Sequence, residues 1–351
     1  MLEQSFSPSF RPQRNSTSHV SARPRPLPGI GVIIVSYNTS DHLSRCLASL
    51  HSQTYGGEIE IIVVDNASSD HSAEMVADKF PGVTLVANQE NVGFAAANNQ
   101  AFSLTDAELI CLVNPDTHLR NDALSAAAQY LQGEPETGLC GGLLVDEEGQ
   151  RHPSGRRFPS AFGKLLTLSG LAERFPASKF FAGQDYGWFD HKAPIQVEWV
   201  PGAFTCIRRS LIDEIGFFDE RYFLYYEETD LCLRAKRHGW KVDLVPSIVI
   251  EHEGGASSRT VEEESFDEGG AQILRFRTRA ECLYHRKNFG LIAVLANMGI
   301  EWLWHGTRRL ANPGSSLNAL RKRADSRQIQ NAIANALKDT SWGNTCPPRP
   351  W

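Results

Sequence analysis

Between residues 30 and 116, four short apolar runs alternate with helix-periodic stretches, and three of the runs break off onto side chains that can hold a ligand. The runs are Ile30–Val35, Glu60–Val64, Val83–Ala87 and Leu109–Val113. Between the first two, Leu43, Cys46, Leu47 and Leu50 recur at helical spacing, with Ser40 or Asp41 as N-cap. A short helix to Phe80 and another opened by a tight turn at Gly93 fill the remaining gaps. This β-α-β-α-β-α-β order predicts an α/β fold, a mostly parallel central sheet with helices on both faces. Pro115 cannot donate a ladder hydrogen bond, so the fourth strand must stop near Asn114.

The polar residues fall where such sheets bind ligands, beyond the carboxyl ends of the strands. Ser36, Tyr37 and Asn38 follow the first strand, Asp65 and Asn66 the second, and Asn114 and Asp116 the fourth. Three strand ends delivering side chains to one edge make a nucleotide crevice. Yet no G-x-G-x-x-G follows the first strand and no G-x-x-x-x-G-K-[ST] occurs. A bound diphosphate would need another source of positive charge. Asp116 is a reasonable place for a hard divalent cation that grips phosphate oxygens, although an Asx-Pro turn with a solvated aspartate explains the same residues. His252 again stands where an apolar strand ends, and imidazole is a good ligand for Mn²⁺-like ions. Its pairing with Asp116 is not visible from spacing.

Further along, a helix runs from an Asn121 cap through Leu124, Ala127, Ala128 and Leu131 to Gly133, and Leu139–Val145 reads as another strand. The stretch 156–198 is aromatic and basic with little periodicity, and we expect a variable insertion near the second-substrate side. Gly202 and Ala203 are small residues at a bend, where a ligand can approach the backbone or the chain simply turns. Ser210–Asp213 reads as a capping box, with Gly216 closing its helix. The helix that follows opens with Glu227, Glu228 and Asp230 and closes with basic residues before Gly239. That polarity suits the helix dipole on its own. Two adjacent glutamates after the aromatics Tyr222, Phe223, Tyr225 and Tyr226 also place at least one acid toward a cleft, as a general base. The aromatics either stack on a sugar ring or pack the core, about half each way.

Strands Val242–Val245 and Ser247–Ile250 are separated by Pro246, and the acidic, Gly-rich stretch 258–272 is expected to be mobile. A helix over Leu274–Phe289 precedes an apolar helix, Leu291–Trp304, too short to span a bilayer. With Trp302, Trp304, Arg308 and Arg309 this segment suits either a membrane interface or packing on the main domain. From about Asn312 the chain reads as a basic helix and a Pro-rich tail. The division expected is a disordered basic tail over 1–28, a domain over 29–267 and a helical extension over 268–351. The net charge of -6 argues against nucleic-acid binding. The seven cysteines show no C-x-x-C pair or zinc spacing and read as buried thiols of a reducing compartment. The first residues lack a continuous apolar core, so no signal peptide is expected and the protein is expected to be cytoplasmic, free or peripheral at the inner face of the cell membrane.

Seven short motifs stand in one order: Val35-Ser36-Tyr37-Asn38, Val64 to Asp70, Asn91-Val92-Gly93-Phe94, Asn114-Pro115-Asp116, Val200-Pro201-Gly202-Ala203, the 223–240 block and His252-Glu253-Gly254-Gly255. In that order the chain resembles the family 2 glycosyltransferases over about residues 30–290, in particular the bacterial branch of rhamnosyl- and galactofuranosyltransferases. The resemblance implies a GT-A fold and inverting transfer of a sugar from a nucleoside diphosphate donor to a glycan or lipid-linked glycan. It implies Asp116 as the acid that holds a divalent metal (Mn²⁺ or Mg²⁺) on the diphosphate, with His252 completing that site. Asp65 would contact the nucleoside, with Ser36, Tyr37, Asn38, Asn91, Gly93, Asn114, Gly202 and Ala203 around the donor. The family's base is usually the aspartate of a Glu-Asp pair; here Glu227-Glu228 occupies that place. Glu228 is therefore the expected base, with Glu227 or Asp230 as alternatives. L-Rhamnose from dTDP-rhamnose is the first expectation for the donor, against UDP-galactofuranose or UDP-N-acetylhexosamine. A nucleotidyltransferase and a catalytically silent sugar-nucleotide-binding module are the rival classes.

Overall fold

The structure, a computed structural model, describes residues 27–120, 122–253 and 266–347. The expected tail as far as residue 26, the Asn121 cap, Gly254-Gly255 and the 258–265 part of the acidic stretch lie outside the described residues.

The chain begins as its pattern predicts. Strands β1 (Ile30–Ser36), β2 (Ile59–Asp65), β3 (Thr84–Ala87) and β4 (Leu109–Val113) alternate with helices α1 (Ser40–His51), α2 (Ser72–Lys79) and α3 (Phe94–Phe102). β1 lies between β2 and β4, parallel to both, and β3 runs parallel to β2 on its far side. Side chains alternate across a strand, so a run apolar at every position must be covered on both faces. Ile30, Val32 and Ile34 of β1 join Leu43, Leu47 and Leu50 of α1 in one core. Ile33 and Val35 join Ala95, Ala97 and Ala101 of α3 in the other.

Beyond β4 come β5 (Thr117–Leu119), α4 (Ala123–Gly133), β6 (Thr137–Val145), α5 (Ala161–Leu168), α6 (Leu171–Arg174), β7 (Ile195–Gln196), β8 (Phe204–Arg208), α7 (Arg209–Ile215), α8 (Glu227–Arg237) and β9 (Lys241–His252). The sheet order is β3-β2-β1-β4-β8-β6-β9-β5, with β7 on β9. This half is mixed: β8 enters between β4 and β6 and runs antiparallel to both, while β6 and β9 are parallel. A buried run such as Phe204–Ile207 reads the same in either direction, so sequence does not reveal this reversal.

Other departures have local causes. The two expected strands flanking Pro246 are one strand, because Pro246 falls in a bulge where Val245 pairs with Gly142 and Val249 with Leu143. There its missing N–H costs no ladder bond. Ser210 lies inside α7, whose N-cap position is Arg208 without a side-chain cap, so the capping box does not form; Gly216 does close that helix, at φ 77°. The weakly periodic 156–198 stretch contains α5, N-capped by Ser160, whose Oγ accepts from the Gly163 N–H at 3.1 Å.

Three helices follow: α9 (Phe266–Phe289), α10 (Leu291–Leu310) and α11 (Leu317–Asp339). Val294 and Met298 of α10 pack on Ile333 and Ala336 of α11. Lys164 of α5 reaches Glu281 at 2.6 Å and Glu301 at 2.5 Å, and tethers the insertion to α9 and α10. Burial raises the Glu281 carboxyl, but Lys164 and His285 together outweigh it and hold the group at about 2. The apolar segment thus packs along one side, while Ile292, Leu295 and Leu303 stay exposed. Among the described residues no helix is long and apolar enough to cross a membrane.

Candidate active site

A cavity of about 280 Å³ opens where β1, β2 and β4 end. Tyr37, Asn66, Asn114 and Asp116 reach it from those ends; Gly202 and Ala203, just before β8, form another wall, and Glu227, Glu228 and His252 complete it.

The three-residue β5 decides one side of the site. It pairs antiparallel with the end of β9, Thr117 opposite His252. Asp116 and His252 are thereby neighbours although far apart in sequence. His252 Nε2 lies 3.4 Å from Asp116 Oδ1. That nitrogen is buried and makes no hydrogen bond among the described residues. A carboxylate oxygen and an imidazole nitrogen converging at a cavity wall fit two positions of a divalent cation's shell. Among the described residues no group of three or more His, Cys, Asp or Glu side chains forms a full cage. Such a cation would take its other ligands from diphosphate oxygens and water.

The second side is built by backbone strain. Tyr225 and Tyr226 both have left-handed backbones, φ 73° and 70°. Such residues cost about 1–3 kcal/mol each and persist where the surroundings over-determine them. Here the pair sends Tyr225 to the cavity and Tyr226 onto Tyr284, ring centroids 5.2 Å apart. Phe223 also lines the cavity, whereas Tyr222 is buried in the core. Of the four aromatics, Phe223 and Tyr225 line the cavity, and Tyr222 and Tyr226 pack away from it.

The two left-handed residues also aim the start of α8 at the cavity. Glu227 and Glu228 hydrogen-bond to each other, and the Gly202 backbone reaches Glu228. Burial and then the Glu228 charge push the Glu227 carboxyl well up; burial raises Glu228 too, opposed by its hydrogen bonds and by Arg156. The two carboxyls are coupled through that hydrogen bond, and the larger rise falls on Glu227. One Oε2 on each glutamate is buried without a hydrogen-bond partner among the described residues.

Gly93 closes the site from α3. At φ +92° it receives a cap from Asn91, its N–H donating to Oδ1 at 3.0 Å, and the next amide, Phe94, donates to the Phe223 carbonyl at 2.7 Å. A Cβ on Gly93 would fall 2.7 Å from the Phe223 carbonyl oxygen and 2.5 Å from its ring. Gly93→Ala should therefore cost about 1–3 kcal/mol from backbone strain alone, with the collision in addition. Thermal unfolding checks it; an unchanged melting temperature would contradict this account of the Gly93–Phe223 contact.

Of the residues expected at the site, Tyr37, Asn91, Gly93, Asn114, Asp116, Gly202, Ala203, Glu227, Glu228 and His252 meet at this cavity. Ser36, Asn38, Asp65 and Asp230 do not line it. The Ser36 hydroxyl is buried against that of Thr39, 2.9 Å away. Asp65 accepts from the Ser68 amide and hydroxyl, and Asn38 accepts from the Ser69 amide at 2.7 Å, so both shape the loop behind the wall. Asp230 is fully buried, paired at 2.8 Å with both Arg234 and Lys287. Two residues on from Glu228, it points about 200° around the helix.

Asn66, named at the end of the second strand but given no role at the donor, lines the cavity, as do Phe94 and Leu224. Asn66 had a signal: side chains alternate at a strand end, so either Asp65 or its neighbour faces the ligand. The Asn66 side chain accepts from Asn88 at 2.9 Å and donates to the Gly93 carbonyl at 3.4 Å.

Known proteins agree with this geometry. The model of glycosyl transferase family 2 matches residues 31–193. An N-acetylglucosaminyl-diphospho-decaprenol L-rhamnosyltransferase of Mycobacterium tuberculosis is 28% identical over 242 residues, 65% of this chain and 77% of that one. The rhamnosyltransferase WbbL of Escherichia coli K12 is 26% identical over 274 residues, 75% of this chain and 97% of its own. Among solved structures, a mannosyltransferase of Pyrobaculum calidifontis in complex with GDP-Man and Mn²⁺ superposes with a TM-score of 0.50 at 17% identity, over 92% of this chain and 90% of that one. Residues 31–193 therefore belong to family 2 of the glycosyltransferases, and the chain is a glycosyltransferase of the GT-A fold with rhamnosyltransferases among its relatives.

Proposed function

We propose that this chain moves a hexose from a nucleoside diphosphate donor to a hydroxyl of a glycan or lipid-linked glycan, with inversion and in one displacement. The observation that carries the reading is one cavity lined both by the Asp116–His252 pair and by a buried glutamate pair with unpartnered oxygens. Glu228 takes the proton of the acceptor hydroxyl as that oxygen attacks the anomeric carbon. The bond from that carbon to the diphosphate oxygen breaks on the opposite face. Glu227, protonated, keeps the negative charge on its neighbour and holds it in place. Asp116 and His252 would hold a divalent cation, Mn²⁺ or Mg²⁺, which supplies positive charge to the departing diphosphate. Tyr37, Asn66 and Asn91 are the groups placed to meet the rest of the donor.

L-Rhamnose from dTDP-rhamnose is the first choice of donor, supported by the rhamnosyltransferase relatives. The M. tuberculosis relative's name supports a lipid-linked acceptor, and the Mn²⁺ in the P. calidifontis complex supports the cation. In this reading residues 29–267 are the catalytic unit and 268–351 an accessory one. The exposed apolar residues of α10, with Arg308 and Arg309 in its last turn, would rest peripherally on a membrane that presents the acceptor.

A thermal-shift panel tests the donor, because a ligand of the native state raises the melting temperature by mass action. We expect a metal-dependent rise with dTDP-rhamnose. A rise with a UDP-sugar instead would keep the mechanism and replace the donor. No rise with any donor would leave a silent module.

A further inference from the structure

A second cavity, of about 580 Å³, lies between the 156–198 insertion and helices α9 and α10. Its walls are largely apolar, and Phe162 and Phe180 stand at its edge with exposures of 52% and 61%. Their rings meet edge to face, centroids 5.5 Å apart, and Phe181 stands edge to face against Phe180 at 5.0 Å. Into the same cavity come His285 and Asn297, only 1% and 3% exposed. Asn297 Nδ2 donates to the Ala293 carbonyl at 2.9 Å, but its Oδ1 has no hydrogen-bond partner among the described residues. Neither ring nitrogen of His285 makes a hydrogen bond there; Nε2 lies 3.6 Å from Glu281 Oε1. A buried amide oxygen left unpaired costs about 1–3 kcal/mol, so a ligand that supplies a donor is favoured there.

Exposed aromatic rings together with an unpaired amide oxygen suit a ligand that is apolar on its flat face and hydroxylated at its edge. A pyranose has that character. An isoprenoid or acyl chain would match the rings but leave Asn297 Oδ1 unpaired. We propose that this cavity is a saccharide-binding subsite that holds a sugar of the acceptor remote from the reacting hydroxyl, which rests on the glycosyl-transfer reading above. The two cavities share α8: Glu228 lines the first and Leu233 the second. Glu228 and Leu233 stand five residues apart on that helix, a rise of about 7.5 Å along its axis. A short glycan can span that interval, engaging both.

Saturation-transfer NMR with methyl glycosides of N-acetylglucosamine, glucose, galactose, mannose and rhamnose tests this, with dTDP and Mn²⁺ filling the first cavity. At least one glycoside should bind the full chain. Asn297→Leu and Phe180→Ala should each weaken that binding by ~10-fold or more. Phe180 is exposed, so its variant keeps the fold even if Asn297→Leu does not. The thermal shift of both variants with dTDP and Mn²⁺ should match the parent chain. Absence of any glycoside signal, or equal binding by the Phe180→Ala chain, would overturn the proposal. So would loss of farnesol binding in the variants with glycoside binding intact, which would assign the cavity to an apolar chain. Variant-sensitive glycoside binding in a chain that turns over no sugar nucleotide would uphold the subsite and sink the transfer reading alone.

Discussion

Asp116→Ala is expected to lower turnover by at least ~10²-fold, the scale of losing one preorganised electrostatic contact at a reacting group. Asp116 stands between the end of β4 and the start of β5, its side chain nearly buried and 3.4 Å from His252. Alanine removes the carboxylate of the pair and leaves only the His252 imidazole of the two side chains. The charge of the departing diphosphate then has nothing fixed beside it. Turnover measured across a Mn²⁺ titration checks this. A variant with parental turnover, or with an unchanged metal response, would remove Asp116 from the mechanism.

Glu228→Gln is expected to cost about 10²–10⁴-fold, the usual worth of a positioned general base, while donor binding persists. Glutamine keeps the shape and the contact with Gly202 but accepts no proton. The pH profile carries a sign. Glu228 must be ionised to act, and burial raises its carboxyl above the ordinary 4.5. Transfer should therefore climb as pH rises through that raised value. Stability runs the other way. The folded state holds more protons than the unfolded chain above 4.5, so the contribution of the pair is full below that pH and is lost as pH rises through the folded values. Glu228→Gln removes the like charge, and its melting temperature should vary less between about pH 5 and 8. Full activity of the Glu228→Gln chain would move the base elsewhere, and Glu227 is the neighbour to test.

The parallel half of the sheet was legible because Ile30–Val35 and Leu109–Val113 are apolar at every position and end on polar groups. Periodicity and strand ends encode both facts locally. The antiparallel entry of β8 was not legible, since a buried run carries no mark of direction. Nor was β5: three residues give no period, yet their pairing with β9 joins Asp116 to His252. The motif order placed Glu227 and Glu228 at the site, while Asp230 separated from them only through helix geometry and its partners Arg234 and Lys287. The left-handed Tyr225 and Tyr226 had no glycine to announce them.

The most direct test of sugar transfer at this cavity is nucleoside diphosphate release. The full chain would be incubated with Mn²⁺ and, in turn, dTDP-rhamnose, UDP-galactofuranose and UDP-N-acetylglucosamine, with a glycan acceptor extract present. We predict release from one donor, lost in both the Asp116→Ala and Glu228→Gln chains. Binding of a donor with no release from any of them would contradict the account and leave a sugar-nucleotide-binding module.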